Sequence, residues 1–187
     1  MEEKVIEVGE TNPIPEYLHR FYNPLVGNTM LELGNKKTHE FTYKEYFESI
    51  GIEHTSIDWN GMNPRVLKLD LRQPIELEPF DMVTNIGTTE HVSDQTGVWK
   101  NIHNFCKVGG TIISCTPLEG DWWWHGDWYP TELFFKAFTK NGYEIELMDT
   151  VMEYPKRALT VRMNKISHEP FVMPDTKTIF RNIKRPR

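Results

Sequence analysis

TMLELGNKKTHEFTYKEYFESIGIEHTSID, residues 29–58, is the stretch that decides the fold. Its first five residues, Thr29 to Leu33, are a short apolar run that stops at Gly34. Phe41 to Ile50 then carries aromatic and aliphatic residues at helical spacing and is closed by Gly51, and His54 to Trp59 returns to a strand-like pattern. Strand, turn, helix and strand in this order predict a βαβ unit, and a parallel pair so connected belongs to a sheet covered on both faces.

Downstream the same rhythm continues. Val66 to Leu71 (VLKLDL) reads as a third strand and Phe80 to Asn85 (FDMVTN) as a fourth. A helix through Val98, Ile102 and Phe105 is stopped by Gly109 and Gly110, and Thr111 to Cys115 forms a fifth strand. After the polar and aromatic insertion GDWWWHGDWYP, Thr131 caps a helix whose apolar positions are Leu133, Phe134, Ala137 and Phe138, ending at Asn141 and Gly142. Tyr143 to Met148 and Ala158 to Met163 are two more strands, joined by a loop too short for a crossover helix, so they pair antiparallel. The expected architecture is an α/β, doubly wound, Rossmann-like mixed sheet, mostly parallel with a C-terminal antiparallel strand pair. Residues 1–27 are expected to be an N-terminal extension, 28–164 the α/β domain and 165–187 a basic tail. Ligands of such sheets bind outside the carboxyl ends of the strands, where the strand order reverses.

Composition narrows the function classes. The 187 residues are 39% hydrophobic and 26% charged, with no run of about 18 apolar residues to cross a bilayer. The acidic opening MEEKVIEVGE lacks the basic start and apolar stretch of a secretory signal, so a cytoplasmic location is expected. Two cysteines, Cys106 in a helix and Cys115 at the end of a core strand, support neither a disulfide framework nor a four-cysteine zinc site, and no metal site is expected. A net charge of −6 argues against broad affinity for nucleic acid, except through the basic tail from Lys165 to Arg187, whose plainest reading is a solvated terminus. The oligomeric state is not legible.

Glu32, Leu33 and Gly34 at the end of strand one, with Asp58 at the end of strand two, resemble the corresponding positions of class I S-adenosylmethionine-dependent methyltransferases. FDMVTNIGTTEHV (80–92), KVGGTIISCTP (107–117) and HGDWYPTELFFKAFTKNGYEI (125–145) resemble later segments of that family, so the similarity spans roughly residues 29–163. The resemblance implies S-adenosyl-L-methionine as cofactor, with Glu32, Gly34 and Asn35 at the turn facing its methionine part and Asp58 accepting from the ribose hydroxyls. It also implies Asp70 near the adenine amino group and Asn85 in the strand-four turn. A carboxylate suits the ribose because it accepts two hydroxyl protons through charge-assisted bonds. The first turn departs from the family, since Gly34 is followed by Asn35, Lys36, Lys37 and Thr38 where further glycines are usual. Asparagine is the mildest replacement, because it enters the left-handed region more readily than other residues with side chains. Lys36 or Lys37 is positioned to pair with a carboxylate or to remain a solvated charge. A nicotinamide dinucleotide fits less well, since its pyrophosphate needs the whole G-x-G-x-x-G turn.

His91, beside Glu90 after strand four, is the first candidate for a general base, and His125, with Asp127 to orient it, is the second. Trp124, Asp127, Trp128 and Tyr129 of the Trp-rich insertion are candidates for substrate binding, either as an aromatic wall over the pocket or as a cover for the sheet edge. Asn85 opens NIGT, without the prolines typical of enzymes that methylate base amines. Two functions therefore stand: methyl transfer to a small-molecule or glycan acceptor, and a non-catalytic domain of this fold that binds a protein or RNA partner.

Overall fold

The computed structural model describes residues 5–7, 14–35, 43–60, 65–122, 125–153 and 155–181. Its elements are β1 (Val5–Ile6), α1 (His19–Tyr22), β2 (Leu25–Val26), β3 (Thr29–Leu33), α2 (Tyr43–Ser49), β4 (Glu53–Asp58), β5 (Leu67–Lys68) and β6 (Phe80–Ile86). There follow α3 (Gln95–Phe105), β7 (Cys106–Pro117), β8 (Trp128–Pro130), α4 (Glu132–Ala137), β9 (Tyr143–Glu153), β10 (Lys156–Lys165) and β11 (Ile179–Arg181). Seven of the strands form one sheet in the order β5-β4-β3-β6-β7-β10-β9. The first five pair in parallel, and β10 is antiparallel to both β7 and β9. This is the mixed, doubly wound sheet that the spacing predicts.

Alternation along β3 shows how both faces are buried. Met30 turns to one side, against Phe21, Tyr22, Tyr43, Phe47, Met82 and Ile113, while Leu31 and Leu33 turn to the other, against Val83, Ile112 and the α3 residues Val98, Trp99 and Ile102. α2 therefore covers the first face together with residues from the chain's first quarter. Leu18, Phe21, Tyr22 and Leu25 are fully or almost fully buried there, and buried Arg162 of β10 donates to the Phe21 carbonyl at 3.1 Å. Phe134, Phe135 and Phe138 close the second face around Trp99. In α4 the apolar stripe is shifted by one position, with Phe135 buried and Leu133 64% exposed, because the helix is only six residues long and is oriented by the Trp99 ring.

Three details extend the sequence reading or differ from it. Between β5 and β6, where that reading names no element, no helix intervenes. Pro74 and Pro79 break the segment, and buried Asn101 of α3 clasps it instead, donating to the carbonyls of Leu71 and Gln73 and accepting from the Ile75 amide. α3 stops at Phe105, so Cys106 opens β7 rather than lying in a helix, and the two glycines at 109 and 110 serve an irregularity of the β6–β7 ladder. A Cβ on Gly110 would stand 2.8 Å from the Asp81 carbonyl oxygen. Burial pushes the Cys106 thiol up to about 12, which keeps it protonated and inert. Finally, the chain from Lys165 onward is tied to the domain at several points among its described residues. Lys165 is 2% exposed and donates to the carbonyls of His103 and Cys106 at the end of α3, and β11 pairs with β8.

At the edge of the sheet remote from the cleft described below, Asp81 ties β6 to β3. It accepts from the amides of Asn28 and Thr29, from the Thr29 hydroxyl and from Lys107 Nζ at 2.8–2.9 Å. Burial opposes ionisation, but these donors outweigh it and hold the carboxyl at about 2. A folded-state value below the unfolded value of roughly 3.9 makes ionised Asp81 stabilising by about 2 kcal/mol, a contribution complete above that value and lost as pH falls toward 2. Asp81→Asn is expected to remove it. In urea titrations the variant should lose about 2 kcal/mol at pH 7 and almost nothing near pH 2; equal losses at both pH values would contradict this origin.

Candidate active site

β3 pairs with β4 on one side and β6 on the other, so the chain diverges at the carboxyl ends of β3 and β6 and leaves a crevice there. The crevice is a cleft of about 670 Å³. Its floor is the turn after β3. Gly34 has φ +83°, its amide donates to the Ile57 carbonyl at 2.7 Å, and a Cβ at this position would come 2.7 Å from Thr88 Oγ1. Thr88 in turn donates to the Leu33 carbonyl at 2.7 Å. Only glycine meets both the left-handed backbone and the close approach of the β6 turn.

Gly34, Asn35, Asp58 and Asp70 all line this cleft, as does His91. Asp58 ends β4 half-buried, and its Oδ1 accepts from the Asn60 amide at 2.9 Å, leaving Oδ2 without a hydrogen-bond partner among the described residues. Asp70 is more committed. Arg72 binds it through Nε and Nη2 at 2.7–3.0 Å, and those bonds hold its carboxyl below the usual carboxylate range. Leu33, Ile57, Leu69, Leu71, Ile86 and Val92 supply apolar walls. Trp59, 73% exposed, stands on the rim directly after Asp58. The sequence reading passed over Trp59 and Arg72; the available signal was a large ring next to a strand-end acid.

Glu32 and Asn85 do not line the cleft. Glu32 alternates to the opposite face of β3, 1% exposed, where Ser56 donates to it and His54 Nε2 lies 3.5 Å away. Burial lowers His54 to about 4, so the ring is neutral and this contact is not an ion pair near pH 7. Asn85 is fully buried and staples the turn after β6, donating to Thr89 Oγ1 and Ser114 Oγ and accepting from the Thr89 amide. Trp124, Lys36 and Lys37 lie outside the described residues.

The described residues of the Trp-rich insertion are anchored beside the cleft and do not line it. Trp122 donates to the Arg157 carbonyl and its ring lies 4.5 Å from Lys156 Nζ, so it covers the turn between β9 and β10. Trp128 packs on the core, and Tyr129, 3% exposed, donates to the carbonyls of Trp122 and His125. The Asp127 amide donates to the Glu90 carbonyl at 2.7 Å. These bonds bring His125 to His91, with ring centroids 4.8 Å apart. Both candidate bases thus meet at one point, over Glu90.

No family model and no curated protein matches the sequence. Solved structures do match. The 1,6-didemethyltoxoflavin-N1-methyltransferase of Burkholderia thailandensis, with 1,6-didemethyltoxoflavin and S-adenosylhomocysteine bound, superposes with TM-score 0.55 at 14% identity, over 74% of this chain and 71% of that one. The N-methyltransferase NodS of Bradyrhizobium japonicum gives 0.54 at 14%, over 75% and 86%. This chain has the class I methyltransferase fold. An O-methyltransferase of a Brevibacillus brevis multienzyme, in complex with S-adenosyl-L-homocysteine, shares that fold at TM-score 0.50 and 10% identity, over 74% of this chain and 66% of its own. In the methyltransferase fold the cleft between β3 and β6 is the topological switch point, and no helix of the described residues is long and apolar enough to cross a membrane.

Proposed function

We propose that the protein transfers a methyl group from S-adenosyl-L-methionine to a small-molecule or glycan acceptor. The observation that carries this reading is the convergence of Gly34, Asp58 and Asp70, from three separate strand ends, on one cleft at the switch point of a methyltransferase-fold sheet. The cleft's chemistry fits the cofactor. The Gly34 turn forms the cleft floor, a strand-end carboxylate with one oxygen unengaged among the described residues suits a ribose diol, and apolar walls suit a purine. When bound, the cofactor supplies an activated methyl group on a sulfonium. The chain's own task is to position the acceptor for in-line attack and to accept its proton.

His91 is the proposed base and His125 the second candidate, because His91 lines the cleft and His125 touches it. A small acceptor fits a cleft of this size and accords with the bound 1,6-didemethyltoxoflavin of the Burkholderia enzyme. A cytoplasmic setting accords with two buried cysteines that form no disulfide. Calorimetric titration with S-adenosylhomocysteine tests the cofactor site: a Kd in the micromolar range, about −8 kcal/mol, is expected. No heat at millimolar ligand would sink the reading, and binding without transfer of labelled methyl to any acceptor pool would move the non-catalytic, partner-binding reading ahead of it.

A further inference from the structure

We propose that Glu90, His91 and His125 form a binding site for one divalent transition-metal cation of the zinc class at the side of the cleft. The Nε2 atoms of His125 and His91 lie 3.5 Å and 3.8 Å from Glu90 Oε1, and one ligand atom from each of the three residues falls within a 4.8 Å span. Glu90 itself is 0% exposed, and neither of its carboxylate oxygens has a hydrogen-bond partner among the described residues. A buried carboxylate in that condition is costly unless a cation meets it.

The surroundings are shaped for this carboxylate. Gly126 has φ +66°, and a Cβ there would fall 2.7 Å from Glu90 Cγ; Gly87 has φ +72°, and its Cβ would fall 3.4 Å from Oε1. The side chain is therefore held between two glycine backbones, one from the β6 turn and one from the insertion. The Asp127 amide bond to the Glu90 carbonyl and the Tyr129 hydroxyl bond to the His125 carbonyl fix the insertion in that position.

Donor chemistry selects the cation. Two imidazoles and one carboxylate suit zinc and its neighbours cobalt, nickel, iron and manganese, whereas magnesium and calcium favour all-oxygen shells. At about 2.0–2.1 Å from a tetrahedral metal, neighbouring ligand atoms stand about 3.4 Å apart. The two Glu90 distances are near that value. The residual closure falls on the two imidazoles, whose side chains are 50% and 40% exposed and so have room to turn. Three protein ligands leave a coordination position open, as in catalytic sites. His91 lines the cleft, and on the methyl-transfer reading the open position would receive an acceptor oxygen and polarise it. His91 would then be a metal ligand and not the base, since a coordinated Nε2 has no lone pair for a proton.

The test uses the tag-free full chain, stripped with a chelator and titrated with Co²⁺ followed by optical absorption, then with Zn²⁺ by calorimetry. One equivalent of Co²⁺ giving intense visible bands of a low-coordinate site, displaced by Zn²⁺, is expected. Glu90→Gln and His125→Ala are each expected to weaken binding by roughly 100-fold or more, since removing a group that only orients a metal ligand already costs about 10–100-fold. His125→Ala removes a half-exposed ring and guards against a Glu90→Gln protein that does not fold. Affinity for S-adenosylhomocysteine is measured alongside as a separate report on the cofactor end of the cleft. Absence of the bands at millimolar Co²⁺, or binding indifferent to His125→Ala and His91→Ala, overturns the site. Loss of S-adenosylhomocysteine binding with metal binding intact would count against the proposed function and not against the metal.

Discussion

Asp58→Ala is expected to weaken S-adenosylhomocysteine binding by roughly 100-fold, about 3 kcal/mol, while leaving the thermal midpoint almost unchanged. Asp58 is half-buried at the end of β4, and its only hydrogen bond among the described residues is from the Asn60 amide to Oδ1. Its fold contribution is therefore one local turn bond. A ribose would draw two charge-assisted bonds from the same carboxylate, each worth about 1.5–3 kcal/mol. Asp58→Asn keeps the shape and one acceptor oxygen but loses the charge, so its affinity should fall between those of wild type and alanine. Calorimetry with all three proteins decides the matter. A change of less than threefold in Asp58→Ala would remove Asp58 from the site and leave only the apolar walls and Asp70 to hold the adenosine.

Trp99→Ala is expected to cost about 3–5 kcal/mol of unfolding free energy, a large share of the roughly 5–15 kcal/mol that holds an ordinary domain folded. The Trp99 ring is 0% exposed and lies 5.0–5.8 Å from the ring centroids of Phe134, Phe135 and Phe138. Its Nε1 donates to Gln95 Oε1 at 3.1 Å, and Gln95 in turn donates to the carbonyls of Thr89 and Val92. The substitution thus opens a cavity on the second face and loosens the turn that carries Glu90 and His91. Trp99→Phe keeps most of the volume and should cost less than half as much. Urea unfolding at pH 7 measures both. A loss under about 1 kcal/mol for Trp99→Ala would mean that the phenylalanines collapse into the space and that this aromatic cluster does not carry the second face.

Much of the cofactor half of the site is legible along the chain. Strand-end residues sit at fixed distances from their apolar runs, and parallel pairing of β3 with β4 carries Gly34 and Asp58 to the same edge of the sheet. Asp70 follows from the same logic, although its strand shortens to Leu67–Lys68 and Arg72 engages its carboxylate. Glu32 and Asn85 lie within the same motifs, yet period-two alternation and a polar contact to Ser114 turn them away from the cleft.

Local periodicity and turn chemistry by themselves determined the order and type of the seven strands of the main sheet and of the helices α2, α3 and α4, and hence the sheet and its switch point, but not the short strand β8 or the exact end of α3. Tertiary structure alone decided what lies far apart in sequence. It buried Ile14, Leu18, Phe21, Tyr22 and Leu25 on the first face, paired β11 with β8, held the β5–β6 connection with the Asn101 clasp, and set His125 beside His91 across more than thirty residues of chain. The physical reason is that element type follows from dihedral preference and hydrophobic period, which are short-range. The partner of a buried polar group such as Glu90 follows from packing between segments, and no local pattern encodes that.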